Sequence, residues 1–307
     1  MMMNKSLLLI VVFLVILTSS LIVPHSLVPL VVEGQTVNNN NISNNKNSLD
    51  VKDIINSNIL NSSIQLQNKT VEYFDNASGY LVYPTILSSL DANNNDDTNS
   101  NNNTFPAVVM IHENKGLNNN IKDMANTLAK EGYVVLAVDL FNGEVTTNQT
   151  RASELSQSIR DNPDTAITNL KSAVKYLISL PNVNPEKIAS LGWCFGGQQS
   201  LQLALNSEDH PLAATVIYYG RLVTEPESLS KIKWPVLGIF GDQDQSIPVT
   251  TVEEFEEALT QQGITNEIYI YKGVGHAFAN PSGDNYAPNE TKGAWQKTLV
   301  FLSKYLN

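Results

Sequence analysis

The chain is poor in cysteine, histidine and positive charge. It has one cysteine and four histidines in 307 residues, and its net charge is −11. A single cysteine excludes an intramolecular disulfide, so the fold has to be stable without covalent cross-links. The negative charge argues against a nucleic-acid partner, because the surface would repel the phosphate backbone. The one thiol, Cys194, is therefore free for other chemistry.

The first 69 residues differ in composition from the rest of the chain. In residues 1–34, Lys5 precedes a mostly apolar run of about 17 residues. This pattern is typical of a secretory signal peptide or an uncleaved N-terminal membrane anchor. Residues 35–69 are rich in Asn, Ser and Gln and predict a flexible linker. We therefore expect an extracytoplasmic protein, secreted or anchored by its N-terminal segment, with one folded domain over residues 70–307.

The remaining sequence alternates apolar, strand-like runs with amphipathic, helix-like runs. Two β-prone runs in residues 70–84 flank Asn-Ala-Ser-Gly and predict an antiparallel hairpin. The later apolar runs predict strands at 107–112, 133–140, 187–193, 213–220, 234–241 and 266–273. Helices are predicted at 120–131, 163–180, 250–262 and 290–305, and another begins at the glycines after Cys194. The predicted fold is α/β, with a mostly parallel sheet covered on both faces and the hairpin at one edge.

Cys194 lies at the end of a predicted strand, in the sequence GWCFGG (192–197). A nucleophile two residues from a small residue on each side, at a strand-to-helix junction, is the nucleophile elbow of α/β-hydrolases, here with cysteine in place of serine. The glycines permit the sharp turn, and the helix N-terminus favours a thiolate. An isolated cysteine in an apolar strand is often core packing, but the flanking glycines favour a nucleophile.

Candidates for a base and an acid follow other predicted strands. His276 lies in a glycine-flanked loop after the last strand, and we favour it over His112 as the base that serves Cys194. The turn after the fifth parallel strand offers two acids. Asp244 lies past the tight turn and is preferred as the third member, whereas Asp242 suits local turn bonding. The resulting order of nucleophile, acid and base is that of α/β-hydrolases.

The loop after the first parallel strand supplies candidates for binding the oxyanion. In an α/β-hydrolase, the oxyanion hole uses the main-chain N–H that follows the nucleophile and another from an early loop. These donors are assigned to Phe195 and Asn114. Glu113 precedes Asn114 and is either a solvated loop acid or a functional group at the mouth of the site. The residues alone leave both readings open.

Six motifs resemble, in order, those of the dienelactone hydrolase family of α/β-hydrolases. They are IHENKGLN (111–118), VDLFNG (138–143), GWCFGG (192–197), YYG (218–220), GDQDQSIP (241–248) and GHAFAN (275–280). The resemblance covers roughly residues 70–305. It implies an α/β-hydrolase fold and a triad of Cys194, His276 and Asp244. It also implies that Glu113 pairs with the resting thiol until substrate arrives.

The resemblance further indicates where substrate would bind. Family members that cleave dienelactone hold its carboxylate with arginines, one of them shortly after the catalytic histidine. Asn280 stands at that place in this chain, and Arg151 is the candidate for the other arginine. The YYG motif adds Tyr219 as a substrate-binding residue. Because Asn280 replaces an arginine, the substrate need not be dienelactone.

The sequence thus predicts a hydrolase that cleaves a small-molecule ester or lactone through an acyl-enzyme. No metal or organic cofactor is expected, because the sequence has no Cys/His ligand cluster and no Gly-rich phosphate loop after the first strand. Three alternatives stay open. A carboxylesterase or thioesterase on an unrelated small acyl substrate would use the same residues. A catalytically silent binding protein would keep only the fold, and a thiol redox sensor would need a resolving cysteine that the chain lacks.

Overall fold

The computed structural model describes residues 64–75, 77–86 and 104–307. Eight strands form one sheet in the order β1-β2-β4-β3-β5-β6-β7-β8. They are β1 (Ile64–Phe74), β2 (Ala77–Ile86), β3 (Phe105–Ile111), β4 (Val134–Val138), β5 (Val183–Trp193), β6 (Ala214–Tyr218), β7 (Val236–Gly241) and β8 (Asn266–Tyr271). β2 pairs with β1 and β4 in antiparallel register, and all the other neighbouring pairs are parallel. The predicted α/β architecture with an antiparallel hairpin at one edge is confirmed.

Helices cover both faces of the sheet. Those of the described residues are α1 (Asn119–Lys130), α2 (Gln149–Asp161), α3 (Pro163–Ile178), α4 (Phe195–Leu205), α5 (Pro226–Leu229), α6 (Val249–Gln261) and α7 (Pro288–Leu306). Apolar side chains of α3, α4 and α6 form one buried cluster with the sheet, and those of α1 and α7 form another. Neighbouring strand residues such as Val108 and Val109 enter opposite clusters, which is why the central strands are apolar without alternation.

The folded region begins earlier than the sequence predicts. Strand β1 starts at Ile64 rather than at residue 70, so the last part of the expected linker belongs to the sheet. Gln65, Gln67 and Asn68 are exposed on this edge strand, and their polarity resembles that of a linker although their main chain pairs with β2. The expected leader and the rest of the linker lie outside the described residues. None of the described helices is long and apolar enough to cross a membrane.

Helix α2 has no counterpart in the prediction. Its sequence, QTRASELSQSIRD, is largely polar, and only Ala152 and Ser156 are buried. An apolar stripe this narrow gives too weak a periodicity to be recognised. The helix nevertheless reaches the nucleophile region, because Nε of Arg160 donates a hydrogen bond to Oε1 of Gln198 in α4 at 3.1 Å.

Buried hydroxyl groups attach α4 to the sheet. Oγ of Ser200 lies 2.8 Å from Oγ of Ser190 in β5 and 3.0 Å from the main-chain oxygen of Val216 in β6. Each hydrogen bond of this kind adds about 1 kcal/mol to the free energy of unfolding. They fix the first turns of α4, and with them Cys194, over the carboxyl ends of β5 and β6.

Candidate active site

The turn between β5 and α4 displays the thiol. Cys194 has φ 55° and ψ −115°, a conformation that strains a non-glycine residue. A Cβ at Gly192 would lie 2.1 Å from the main-chain oxygen of Gly196, and a Cβ at Gly196 would lie 2.3 Å from that of Ile111. Both positions therefore require glycine. The turn leaves the Cys194 side chain partly exposed at the N-terminus of α4.

Three side chains from three strand ends form a hydrogen-bonded chain. Nε2 of His276 lies 3.0 Å from Sγ of Cys194, and Nδ1 of His276 lies 2.8 Å from Oδ2 of Asp244. Asp244 is buried, and its Oδ1 accepts hydrogen bonds from the main-chain N–H groups of Ser246 and Ile247. The structure thus brings together the residues that the sequence assigns as nucleophile, base and acid.

The hydrogen-bonded chain shifts the pKa of two of its members. Burial alone would lower the pKa of His276, but the contacts with Asp244 and Cys194 outweigh burial and raise this pKa to about 10. Burial also disfavours the charged form of Asp244, yet the bond with His276 holds the pKa of this carboxyl below its usual value. Asp244 is therefore an anion at neutral pH and favours the cationic form of His276. Asp242 instead accepts a hydrogen bond from the N–H of Gly273 and so links two turns.

Glu113 and Asn280 form a second polar contact near the triad. Nδ2 of Asn280 donates to Oε2 of Glu113, while Oε1 of Glu113 has no hydrogen-bond partner among the described residues. Burial raises the pKa of Glu113 to about 7, although the charges of His276 and Lys115 and the neighbouring hydroxyl group of Tyr219 oppose this shift. The family resemblance implies a pairing of Glu113 with the resting thiol. In this structure Glu113 accepts a hydrogen bond from Asn280 and the thiol contacts His276, so the pairing of Glu113 with the resting thiol stays a prediction.

Tyr219 places its hydroxyl group beside the carboxyl group of Glu113 in the site. Its ring meets that of His276 edge to face, with the centroids 5.3 Å apart. The hydroxyl is buried and has no hydrogen-bond partner in the part of the chain that the structure describes. Burial, followed by the charge of Glu113, raises the pKa of Tyr219 far above its usual value, so the phenol stays protonated. Tyr219 can therefore donate a hydrogen bond to a bound group.

The two expected oxyanion donors lie on segments that pack against each other. A Cβ at Gly196, in the first turn of α4, would lie 2.5 Å from the main-chain oxygen of His112, so α4 directly contacts the loop after β3. Within the described ranges, the N–H groups of Asn114 and Phe195 donate to no main-chain oxygen. Both donors are available to a ligand oxygen.

A pocket of about 120 Å³ lies at the thiol and contains two basic side chains. It is lined by Arg160, Cys194, Phe195, Gln198, Tyr219, Arg221, Ser246, Ile247 and His276. Neither arginine forms an ion pair with an acidic side chain in the described part of the chain. Burial and the charge of Arg221 lower the pKa of Arg160. Two positive charges therefore lie close together with no anion between them.

Arg151 lies outside this pocket, which corrects the assignment made from the sequence. Its guanidinium is half-exposed and pairs with Glu144 at 2.6 Å and with Glu154 at 3.1 Å. Arg151 and Arg160 are nine residues apart in α2, which is about two and a half helical turns, so they project from opposite faces. Only the Arg160 face meets the pocket. Arg221 directly follows the YYG motif, and this position at a strand end was the signal that could have revealed it.

Outside this site, the described residues line a separate cavity but hold no cluster of metal ligands. Among the described residues, no group of three or more His, Cys, Asp or Glu side chains is arranged to hold a metal ion. A cavity of about 200 Å³ is lined by residues of α1 and α7 together with Trp193 and Tyr218. None of the three triad residues lines this cavity.

Known proteins resemble this chain in sequence. The dienelactone hydrolase family matches residues 97–306 of the chain. A protein of Bradyrhizobium sp., named as a 2-oxo-3-(5-oxofuran-2-ylidene)propanoate lactonase, is 30% identical over 213 residues that cover 66% of this chain and 85% of that protein. A protein of Synechocystis sp., named as a carboxymethylenebutenolidase, is 29% identical over 208 residues that cover 63% of this chain and 83% of that protein.

A solved structure shows the same fold. The crystal structure of a dienelactone hydrolase from Klebsiella pneumoniae subsp. pneumoniae matches with a TM-score of 0.63 and 24% sequence identity, and the match covers 79% of this chain and 99% of that one. At this identity the likeness shows the fold alone. The family match spans more than half of the sequence. The chain therefore belongs to the dienelactone hydrolase family of ester and lactone hydrolases.

Proposed function

We propose that the protein hydrolyses its substrate through Cys194 as the nucleophile. The observation that carries this proposal is the hydrogen-bonded chain from the thiol through His276 to the buried carboxylate of Asp244. Because the pKa of His276 is raised to about 10, the imidazole already holds the thiol proton at neutral pH. The sulfur attacks the carbonyl carbon as a thiolate, and the N–H groups of Asn114 and Phe195 stabilise the oxyanion. The alcohol leaves with a proton from His276, and a thioester acyl-enzyme remains. Water, deprotonated by His276, then releases the acid.

The arginine pair supports a substrate that carries a negative charge. Arg160 and Arg221 line the same small pocket as Cys194, and a carboxylate bound there would offset two neighbouring positive charges. Guanidinium groups bind carboxylates through paired, charge-assisted hydrogen bonds. The Bradyrhizobium relative is named for a propanoate, which is also an anion. The substrate class we propose is a small ester or lactone that bears a carboxylate.

Neither of the residues that the sequence offered for holding a carboxylate takes that role in this proposal. Asn280 donates its amide hydrogen to Glu113, and Arg151 pairs with acids on the outer face of α2. Tyr219 lines the pocket and its hydroxyl group, beside Glu113, stays protonated, so it remains a candidate for binding substrate.

Hydrolysis of p-nitrophenyl acetate and of cis- and trans-dienelactone tests the mechanism. We expect turnover by the wild type and a loss of at least about 1,000-fold in kcat for Cys194→Ala and His276→Ala, because both residues take part in bond making and proton transfer. Turnover that survives Cys194→Ala would contradict the mechanism. A wild type that cleaves none of these compounds would favour a binding protein, and cleavage of the acetate alone would favour a carboxylesterase or thioesterase.

A matched pair of esters tests the substrate class. p-Nitrophenyl hemisuccinate resembles p-nitrophenyl butyrate but ends in a carboxylate instead of a methyl group. We expect Arg160→Gln and Arg221→Gln each to raise KM for the hemisuccinate about tenfold or more and to leave KM for the butyrate unchanged, since each removes a charged hydrogen bond.

Arg151→Gln is the control for the arginine variants. It removes the same charge from the same helix as Arg160→Gln, but from the face that meets solvent. We expect it to leave both KM values unchanged. Equal effects of Arg160→Gln on the two esters, or an equal effect of Arg151→Gln on the hemisuccinate, would refute the carboxylate assignment.

We also propose that residues 1–34 direct the chain out of the cytoplasm. The support is the sequence alone, in which Lys5 precedes a long apolar run. Cell fractionation, followed by mass spectrometry of the N-terminus of the purified protein, tests this proposal. A shortened N-terminus indicates a signal peptide, and an intact one in the membrane fraction indicates an anchor. Recovery of the intact chain in the cytosol contradicts export.

A further inference from the structure

One buried side chain, His112, joins the loop after β3 to the turn after β4. The main-chain N–H of Leu140 lies 3.1 Å from Nε2 of His112, and Nδ1 lies 2.5 Å from the main-chain oxygen of Glu113. A main-chain N–H can only donate, so Nε2 is the acceptor and the ring proton is on Nδ1. His112 is thus a neutral imidazole that donates to the carbonyl group of Glu113.

That carbonyl belongs to the same peptide group as the N–H of Asn114. In a trans peptide the C=O and N–H bonds point in opposite directions, and the described residues contain no cis peptide. A donor that fixes the carbonyl of Glu113 therefore fixes the direction of the Asn114 N–H as well. This N–H is one of the two donors assigned to the oxyanion hole.

His112 also contacts the segment that carries the other donor. Its ring stacks on that of Phe195 with the centroids 5.9 Å apart, and it meets the ring of Phe141 at 4.7 Å. The carboxylate of Asp139 accepts hydrogen bonds from the N–H groups of Phe141 and Gly143 and so holds the turn after β4 together. Through His112, the VDLFNG motif thus contacts the ring of Phe195, the residue that follows the thiol.

We propose that His112 is a positioning residue for the oxyanion hole, anchored by the turn after β4. The inference rests on the proposed function, because it requires the Asn114 N–H to bind the oxyanion. His112 does not serve as a base here, since both of its ring nitrogens are engaged with the main chain. The oxyanion forms only in the transition state, so a misdirected N–H lowers kcat and leaves KM nearly unchanged.

Asparagine and leucine at position 112 provide a matched comparison. Both branch at Cγ, and Nδ2 of asparagine stands where Nδ1 of the imidazole stands. His112→Asn therefore keeps a side-chain donor for the carbonyl of Glu113, whereas His112→Leu leaves it only the longer bond from the N–H of Gly116, at 3.4 Å. Both variants lose the acceptor for the Leu140 N–H, so the stability lost with that bond is common to the two.

The expected result is a selective loss in the leucine variant. We expect His112→Leu to lower kcat for p-nitrophenyl acetate about 10- to 100-fold with KM nearly unchanged, because removal of a whole oxyanion donor costs about 100- to 1,000-fold in other hydrolases. His112→Asn should stay within about fivefold of the wild type. If His112→Leu does not fold, Asp139→Asn, which weakens the turn but keeps one acceptor, should show the same loss of kcat in smaller measure.

Alkylation of Cys194 by iodoacetamide separates positioning from general damage. This reaction needs the thiolate but no oxyanion hole, so the variants at positions 112 and 139 should react at the rate of the wild type. Equal kcat values for His112→Leu and His112→Asn, or a parallel loss of kcat and alkylation, would overturn the inference while leaving the hydrolytic function intact. Turnover that does not depend on Cys194 would instead overturn the proposed function.

Discussion

Two carboxyl groups in the site are both nearly inaccessible to solvent and yet differ in protonation. Asp244 is 4% exposed and Glu113 is 6% exposed. Asp244 accepts hydrogen bonds from His276 and from two main-chain N–H groups, and its pKa is lowered. Glu113 accepts from Asn280, one of its oxygens has no partner among the described residues, and its pKa rises to about 7.

Burial raises the pKa of both acids, and hydrogen-bond donors outweigh burial only at Asp244. A carboxylate that receives several hydrogen bonds keeps its charge in a buried site, whereas one with few donors takes up a proton. Asp244 is thereby a permanent anion that orients His276. Glu113 can gain or lose a proton near neutral pH. It forms no hydrogen bond with His276, which contacts Asp244 and Cys194 instead.

The largest effect is expected from Asp244→Asn. An amide at this position leaves the cationic form of His276 without its anion and favours the wrong tautomer of the ring. We expect kcat for p-nitrophenyl acetate to fall about 10,000-fold. Asp242→Asn, two residues away in the same turn, is the control, and its kcat should stay within about threefold of the wild type. Similar losses in the two variants would mean that the turn, and not the charge of Asp244, is responsible.

A smaller effect is expected on the pH dependence of stability in Glu113→Gln. The pKa of Glu113 is raised from 4.5 to about 7 in the folded state. Between these values the folded state holds a proton that the unfolded state releases, so the stability of the wild type falls as pH rises from 4.5 to 7. Glutamine has no proton to lose. The free energy of unfolding of the variant, relative to that of the wild type, should therefore rise by about 3 kcal/mol between pH 4.5 and pH 7.

Urea unfolding of the wild type and Glu113→Gln at several pH values between 4.5 and 8 measures this gain. Other groups titrate equally in the two proteins and cancel from the difference in the free energy of unfolding. A difference that stays constant with pH would show that Glu113 titrates normally in the folded state.

The smallest effect is expected from Asn280→Leu, which removes the amide donor of Glu113. Loss of this hydrogen bond disfavours the carboxylate, so the pKa of Glu113 should rise by about one unit, or about 1.4 kcal/mol. In the Asn280→Leu background, the gain from Glu113→Gln should then level off near pH 8 rather than near pH 7. An unchanged levelling point would show that Asn280 does not stabilise the charged form.

The strand-end chemistry of this protein could be predicted from sequence because the topology is simple. Cys194, Asp244 and His276 each follow a strand, and the carboxyl ends of parallel strands meet at one edge of a sheet. Local motifs were therefore enough to group these residues, and the apolar runs were enough to predict the sheet.

Arg160 and the first strand could not be predicted in the same way. Recognising Arg160 requires the phase of α2, a helix whose polar sequence gives almost no periodicity. The start of β1 at Ile64 depends on main-chain pairing with β2. The exposed glutamine and asparagine side chains of β1 give no sign of this pairing. The actual partner of Glu113 depends on a contact between residues 113 and 280, which lie far apart in the chain.

The backbone conformation of Cys194 has a consequence for redesign of this fold. A non-glycine residue at φ 55° and ψ −115° costs on the order of 1–3 kcal/mol. Alanine would keep this strain, because it keeps the Cβ, whereas glycine would relieve it. A version of the protein that had only to bind ligands would therefore be more stable with Cys194→Gly. The turn between β5 and α4 therefore displays the thiol at the expense of stability.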